Sequence, residues 1–183
     1  RETTTNYSEA TQYLCGSSLP DVYGGFGTSL SWKGFDFSFL MQGAFGATTY
    51  LTSGWYFQPF QAERDPKLMG NLITKFRDRW TEENPDPYAF SPRLYMGQNV
   101  NNYKSSTWWV RNSDYMRLKN LEFGYTLPRK ALDRMRLDNL RFYVSAQNLM
   151  TFSKFKKEFW DPEVGADAYP IQATVFLGVN LTF

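Results

Sequence analysis

The chain has 183 residues, 42% hydrophobic and 21% charged, with a net charge of +2, totals that suit one ordinary domain. It contains no histidine and one cysteine, Cys15, which removes Ser-His-Asp and Cys-His catalysis, internal disulfides and most transition-metal sites. Its basic runs are short, such as Lys154, Lys156 and Lys157, and leave no nucleic-acid footprint.

The unusual total is the aromatic content of 19%, with 16 Phe, 12 Tyr and 6 Trp. Membrane β-barrels concentrate aromatics in girdles, and a sugar-binding β-sandwich is equally compatible with the composition. No apolar run approaches the ~20 residues of a membrane helix, so a membrane reading requires a barrel. Arg1 opens no signal peptide, and such a barrel segment is expected to belong to a longer exported polypeptide.

Residues 1–21 read as a loop segment. In 22–32, Phe26, Thr28, Leu30 and Trp32 alternate with Gly25, Gly27, Ser29 and Ser31, the period of a strand. Lys33-Gly34 is a two-residue hairpin signal. The run 35–45 then sets Phe35, Phe37, Phe39, Met41 and Phe45 against Asp36, Ser38 and Gln42, which predicts a hairpin over 22–45.

The connection 46–114 is too long to be structureless in a compact fold. Asp65-Pro66 reads as an N-cap and first helical residue, and Leu68, Leu72, Ile73, Phe76 and Trp80 recur at helical spacing. A helix is expected over about 66–80, stopped at Asn84-Pro-Asp-Pro87. Trp55, Tyr56, Phe57, Trp108 and Trp109 lie in or beside this loop, where they offer stacking faces for sugar or a packed loop core.

A third strand over 115–127 sets Leu121, Phe123, Tyr125 and Leu127 against Glu122, Gly124 and Thr126, but Arg117 and Lys119 share the apolar parity. A short helix is predicted over 129–135. A fourth strand, 140–150, opposes Leu140, Phe142, Val144 and Ala146 to Arg141, Tyr143, Ser145 and Gln147. Arg141, Tyr143 and Gln147 are candidates to line a substrate path. The loop 151–172 carries Asp161, Glu163 and Asp167, whose spacing lacks the EF-hand pattern, and no metal is assigned. Adjacent Glu82 and Glu83 would serve glycoside hydrolysis only if placed across a sugar bond, and no catalytic residue is assigned.

The last strand, 173–183, places Val175, Leu177, Val179, Leu181 and Phe183 on one face, with Phe176 an apolar intruder on the other. A strand of 9 to 11 residues spans a tilted barrel wall. Connections alternate short (33–34, 128–139) and long (46–114, 151–172), the pattern of periplasmic turns and extracellular loops. With Phe183 in the periplasm, both long loops fall outside.

The run Tyr115-Met-Arg-Leu-Lys-Asn-Leu-Glu-Phe-Gly-Tyr-Thr-Leu-Pro128 resembles the strand and Gly-Tyr-Thr-Leu-Pro motif near the end of SusC/RagA-type TonB-dependent outer-membrane transporters. The run 140–152, then Asp161-Pro-Glu-Val-Gly165 and Tyr169-Pro170, resemble the family's next stations in order. Tyr23-Gly-Gly-Phe-Gly27, Trp32-Lys-Gly-Phe-Asp36 and Asp78-Arg-Trp-Thr-Glu-Glu-Asn-Pro85 do so upstream.

The resemblance implies an all-β fold, an antiparallel transmembrane barrel of 22 strands in a Bacteroidetes-type outer membrane, this chain supplying about the last five strands over 1–183. The plug domain would lie elsewhere. It further implies import of glycans or peptides, a SusD-like surface lipoprotein, coupling to TonB-ExbB-ExbD through the missing N-terminal part, contact with outer-membrane lipid, and no cofactor. Val179, Leu181 and Phe183 would form the assembly signal. Two other readings stay open: a secreted aromatic-rich carbohydrate-binding β-sandwich, which would bury the Phe35, Phe37, Phe39 face, and a passive porin or structural barrel.

Overall fold

The structure, a computed structural model, describes residues 4, 6–51, 72–95, 102, 104–158, 160–164 and 168–183. In chain order the strands are β1 (Val22–Trp32), β2 (Phe35–Phe45), β3 (Thr48–Tyr50), β4 (Val110–Asn112), β5 (Tyr115–Thr126), β6 (Asn139–Phe152) and β7 (Thr174–Thr182). Helix α1 (Arg129–Met135) joins β5 to β6, and α2 (Lys154–Glu158) follows β6. One antiparallel sheet has the order β1-β2-β5-β6-β7, and β3 and β4 form a separate ribbon.

The sheet is a meander because each strand returns beside its predecessor. Lys33 and Gly34 both take positive φ, +48° and +90°, the backbone of a type I′ turn that suits the twist of a hairpin. At the same end, the Thr126 amide donates to the Gly34 carbonyl at 2.7 Å. Helix α1 ends at Arg136 in the left-handed region, φ +55°, and closes the other short turn. Both predicted turns therefore lie at one end, and the long connections at the other.

Registers stack the side chains in rows. Trp32, Phe35, Tyr125, Phe142 and Val179 form one row across all five strands, and Leu30, Phe37, Phe123, Val144 and Leu177 form the next. Phe35 lies 4.5 Å from Tyr125 between ring centroids. The apolar face is not a core: Trp32, Phe35, Phe123, Phe142, Leu177 and Val179 are all exposed. A soluble protein rarely leaves so continuous an apolar surface in water. The β-sandwich expectation fails here, because a sandwich would bury Phe35 and its row-mates, whereas Phe35 keeps 43% of its surface.

The opposite face carries Asp36, Ser38, Gln42, Glu122, Arg141, Tyr143, Ser145 and Gln147, and Phe176 stands on it against Ser145. One face for hydrocarbon and one for water is the section of a membrane barrel wall. No described helix is long and apolar enough to cross a membrane. The five strands of the large sheet, 9 to 14 residues long, have the needed length.

Two departures from the sequence reading matter. The irregular parity at Arg117 and Lys119 is a β-bulge: Leu40 pairs with Asn120 but Met41 with Leu118, leaving Lys119 unpaired. The same break spans Leu118 to Asn120 against Met150 and Gln147 of β6, where Asn148 has φ +51°. The extra residue turns Arg117 to the polar face, paired with Gln42 and Thr151. β6 runs to Phe152, past the expected end at 150.

The helix expected over 66–80 falls partly outside the described residues, at 66–71. Its described part is a single 3-10 turn, Thr74–Arg77, and Asp78 leaves helical geometry. The reason is a cross-loop bridge: the Ser91 amide donates to Asp78 at 3.1 Å and the Trp80 amide to Ser91 at 2.9 Å. The second bond claims the Trp80 amide, which a helix would have given to the Phe76 carbonyl, and Leu72 of the supposed apolar stripe is exposed.

Candidate functional site

At the long-loop end, three chain segments merge into one body. The Thr48 amide donates to the Ser17 carbonyl at 2.8 Å, Leu51 donates to Trp109 at 2.8 Å, and Gly46 donates to the Asp114 carboxylate at 2.7 Å. Leu51, Phe76, Trp109 and Phe155 form a buried core with Ile73, Phe90, Leu94, Trp108 and Trp160 against it. The Tyr7 hydroxyl donates to the Ser105 carbonyl at 3.0 Å, which ties the segment before β1 to the same body.

Trp109 is therefore a core residue, 1% exposed, and its indole donates to the Lys104 carbonyl at 3.1 Å. Trp108 stacks edge-on against it at 4.8 Å and takes the Arg111 guanidinium over its ring at 5.1 Å. Trp55, Tyr56 and Phe57 lie outside the described residues.

Beside Trp108 opens a cavity of about 500 Å³, lined in part by Trp80, Asp86, Pro92, Arg93 and Asn102. That volume is in the range of small-ligand clefts. Arg93 pairs with Glu82 and lies 5.1 Å over the Tyr95 ring. The neighbouring Glu83 carboxyl is held below its ordinary range by its own backbone amide and by the Thr81 hydroxyl. A general acid for glycoside hydrolysis needs the opposite displacement, so Glu83 does not fit the acid's role.

Two ionic clusters sit on the polar face. Nearer the short turns, Arg141 Nε donates to Asp36 at 3.0 Å, Nη2 donates to Glu122 at 2.6 Å, and Nη2 also meets the second Asp36 oxygen. The guanidinium lies 5.0 Å over the Tyr143 ring, and that ring covers Gly178, where a Cβ would overlap it. Of the sequence candidates, Arg141 and Tyr143 meet here, while Gln147 stands exposed higher on the same face.

The second cluster was not among the candidates. Arg117, wholly buried, places Nη2 2.7 Å from Asp161 and Nε 2.8 Å from Glu163, the latter outside hydrogen-bond geometry. Lys119 reaches Glu163 at 3.1 Å. Asp161 and Glu163 of the acidic loop are thus paired with cations of β5, and Asp167 lies outside the described residues. Arg117 Nη1, Thr151 Oγ1 and Asp161 Oδ2 are buried without a hydrogen-bond partner. The parity break at Arg117 and Lys119, together with the acids of 161–163, was the available signal.

Val175, Leu177, Val179, Leu181 and Phe183 are all exposed on the apolar side, Phe183 at the short-turn end.

No protein-family model matches the chain. Among curated proteins it is 32% identical to TonB-dependent receptor P26 of Formosa agariphila, covering 93% of this chain and 18% of that receptor. It is 28% identical to TonB-dependent receptor P3 of the same organism, over 96% of the chain and 18% of the receptor. Among solved structures it resembles the RagAB peptide transporter, with TM-score 0.69 and 27% identity over 92% of this chain and 18% of that one. The RagAB peptide importer in its closed-closed state gives TM-score 0.70 and 26% identity over 95% and 19%. The chain thus spans 18% of the length of the curated relatives it matches.

Proposed function

We propose, for a chain that belongs to the SusC/RagA type of TonB-dependent outer-membrane transporters, that it forms wall and outer loops of a barrel importing glycans or peptides. The two-faced five-strand meander carries this reading. Its lipid side is a continuous exposed apolar surface and its inner side holds the charged groups. The RagAB relatives are peptide transporters by name, which supports import of large polar cargo.

In this reading the outer-loop body, with its core of Leu51, Phe76, Trp109 and Phe155, meets a SusD-like surface lipoprotein and the cargo. Arg141, Tyr143 and Gln147 line the inner wall. Energy comes from TonB-ExbB-ExbD through parts of the receptor beyond this stretch. That dependence separates the proposal from a passive porin. Val179, Leu181 and Phe183 present the apolar pattern read by the assembly machinery.

The test has two stages. The native polypeptide, detected in outer-membrane extract by an antibody to 139–183, should migrate faster unheated than heated. Deleting Phe183 should lower the amount inserted. Uptake of cargo by intact cells should then stop when the proton gradient is collapsed. A soluble polypeptide with no heat-modifiable form would overturn the barrel role, and uptake indifferent to the gradient would overturn active import.

A further inference from the structure

We infer that the cleft between Trp80, Trp108 and the 86–93 turn is a subsite for a neutral sugar ring. This rests on the import reading and deepens it by naming the cargo class that the outer loops hold. The cleft, about 500 Å³, is lined on its polar side by Asp86, Arg93, Asn102 and Ser106, whose formal charges cancel. A cavity without net charge offers an anionic cargo no net counter-charge.

The decision between sugar and peptide comes from the backbone of the lining. An extended peptide is held chiefly by main-chain bonds to a free row of amides and carbonyls. Pro87 and Pro92 have no amide hydrogen. The amides of Trp80, Ala89, Ser91 and Trp109 already donate to Ser91, Asp86, Asp78 and Ser106 carbonyls, at 2.9, 3.3, 3.1 and 3.2 Å. The Ser91 hydroxyl donates to the Pro92 carbonyl at 3.1 Å. These groups offer no strand edge to a peptide, so recognition falls to side chains.

The side chains present are the indoles of Trp80 and Trp108, with the buried Trp109 behind them, beside a carboxylate, a guanidinium, an amide and the hydroxyls of Ser91 and Ser106. Indole surfaces take the apolar C–H face of a pyranose, and planar donors and acceptors take its adjacent hydroxyls. The Asp86 carboxylate spends Oδ1 on the Tyr88 amide at 2.8 Å, and Oδ2 remains the oxygen to set against a ligand hydroxyl. Arg93 is steadied by Glu82 and by the Tyr95 ring, which lowers the entropy lost when it engages a ligand.

The full-length receptor, purified with any co-purifying lipoprotein, is titrated calorimetrically with linear hexaoses of glucose, mannose, galactose and xylose. A tryptic casein peptide pool is the parallel arm. We expect saturable binding of at least one neutral hexaose series, weakened by about tenfold in Trp80→Ala. Asp86→Asn, which keeps an oxygen for the Tyr88 amide, should also weaken it. The inference is overturned if no hexaose binds, if both variants bind as the parent does, or if the peptide pool alone binds and loses affinity in the variants. Because calorimetry needs no proton gradient, such a result leaves the import reading to its own test.

Discussion

Replacing Arg117 by methionine should free the loop after β6 while leaving the barrel wall intact. Arg117 and Asp161 have 0% and 1% of their side-chain surfaces exposed and stand 2.7 Å apart. Removing one partner of a buried pair leaves an uncompensated charge and costs about 3–5 kcal/mol. Asp161 retains one bond, from the Glu163 amide at 3.0 Å, and Glu163 retains Lys119, so the lower end of that range applies. At 1.4 kcal/mol per tenfold, 3 kcal/mol raises the open population of the loop about 10²-fold. The Glu163 and Val164 amides both donate within this loop, to Asp161 side-chain and backbone oxygens. Hydrogen exchange at these two amides, measured on the whole receptor, reads the opening directly. Arg117→Met with Asp161→Leu removes both charges but also the side-chain acceptor of the Glu163 amide, so it should restore most of the protection at the Val164 amide, whose acceptor is the backbone carbonyl of residue 161. Unchanged exchange in the single variant, or a double variant as open as the single one, would refute the reasoning.

Neighbouring positions on β7 should respond oppositely to the same charge. Leu177→Arg puts a guanidinium toward lipid, at a cost of about 2–4 kcal/mol if near the midplane, and should lower the inserted, heat-modifiable fraction, whereas Phe176→Arg on the wet face should not. Equal losses would refute the face assignment. Gly178→Ala drives a Cβ into the Tyr143 ring, which should destabilise the wall by about 1–3 kcal/mol and lower the temperature at which the barrel loses its fast mobility. Tyr143→Ala in the same chain should recover it, and a double variant no better than the single one would remove the ring from the account. Gly34→Ala must hold φ at +90° with its Cβ 2.7 Å from the Thr126 carbonyl, a strain of about 1–3 kcal/mol. It should slow assembly in pulse-chase insertion assays, and a normal rate would show that the turn tolerates a side chain.

The strands and short turns were legible because their signals are local. Lys33-Gly34 announces its own turn, α1 matches the expected 129–135, and period-two alternation fixes which residues of β2, β6 and β7 share a face. The outer loops were not legible for the opposite reason. Their core joins Leu51, Phe76, Trp109 and Phe155, and no single segment carries a periodicity that predicts its partners. Around 66–80 the helical spacing lost, within the described residues, to hydrogen bonds with Ser91. Asp161 meets Arg117 across 44 positions, a pairing that neither residue's neighbours suggest.

The bulge at Lys119 shows why an apparent error of pattern can be the informative position. A strand with strict alternation would turn Arg117 to the side of Leu121 and Phe123, toward lipid, and Leu118 toward water. A charge there costs most at the midplane and less near the interface, and on that face Arg117 would have no acid within reach. The extra residue reverses both outcomes. Leu118 joins the apolar row of Phe26, Met41 and Met150, and Arg117 joins Gln42 and Thr151 on the inner face. There it finds the two acids of the following loop. One unpaired residue thus preserves the lipid face and creates the anchor for an outer loop, a position at which local pattern and tertiary fold agree only after the chain is kinked.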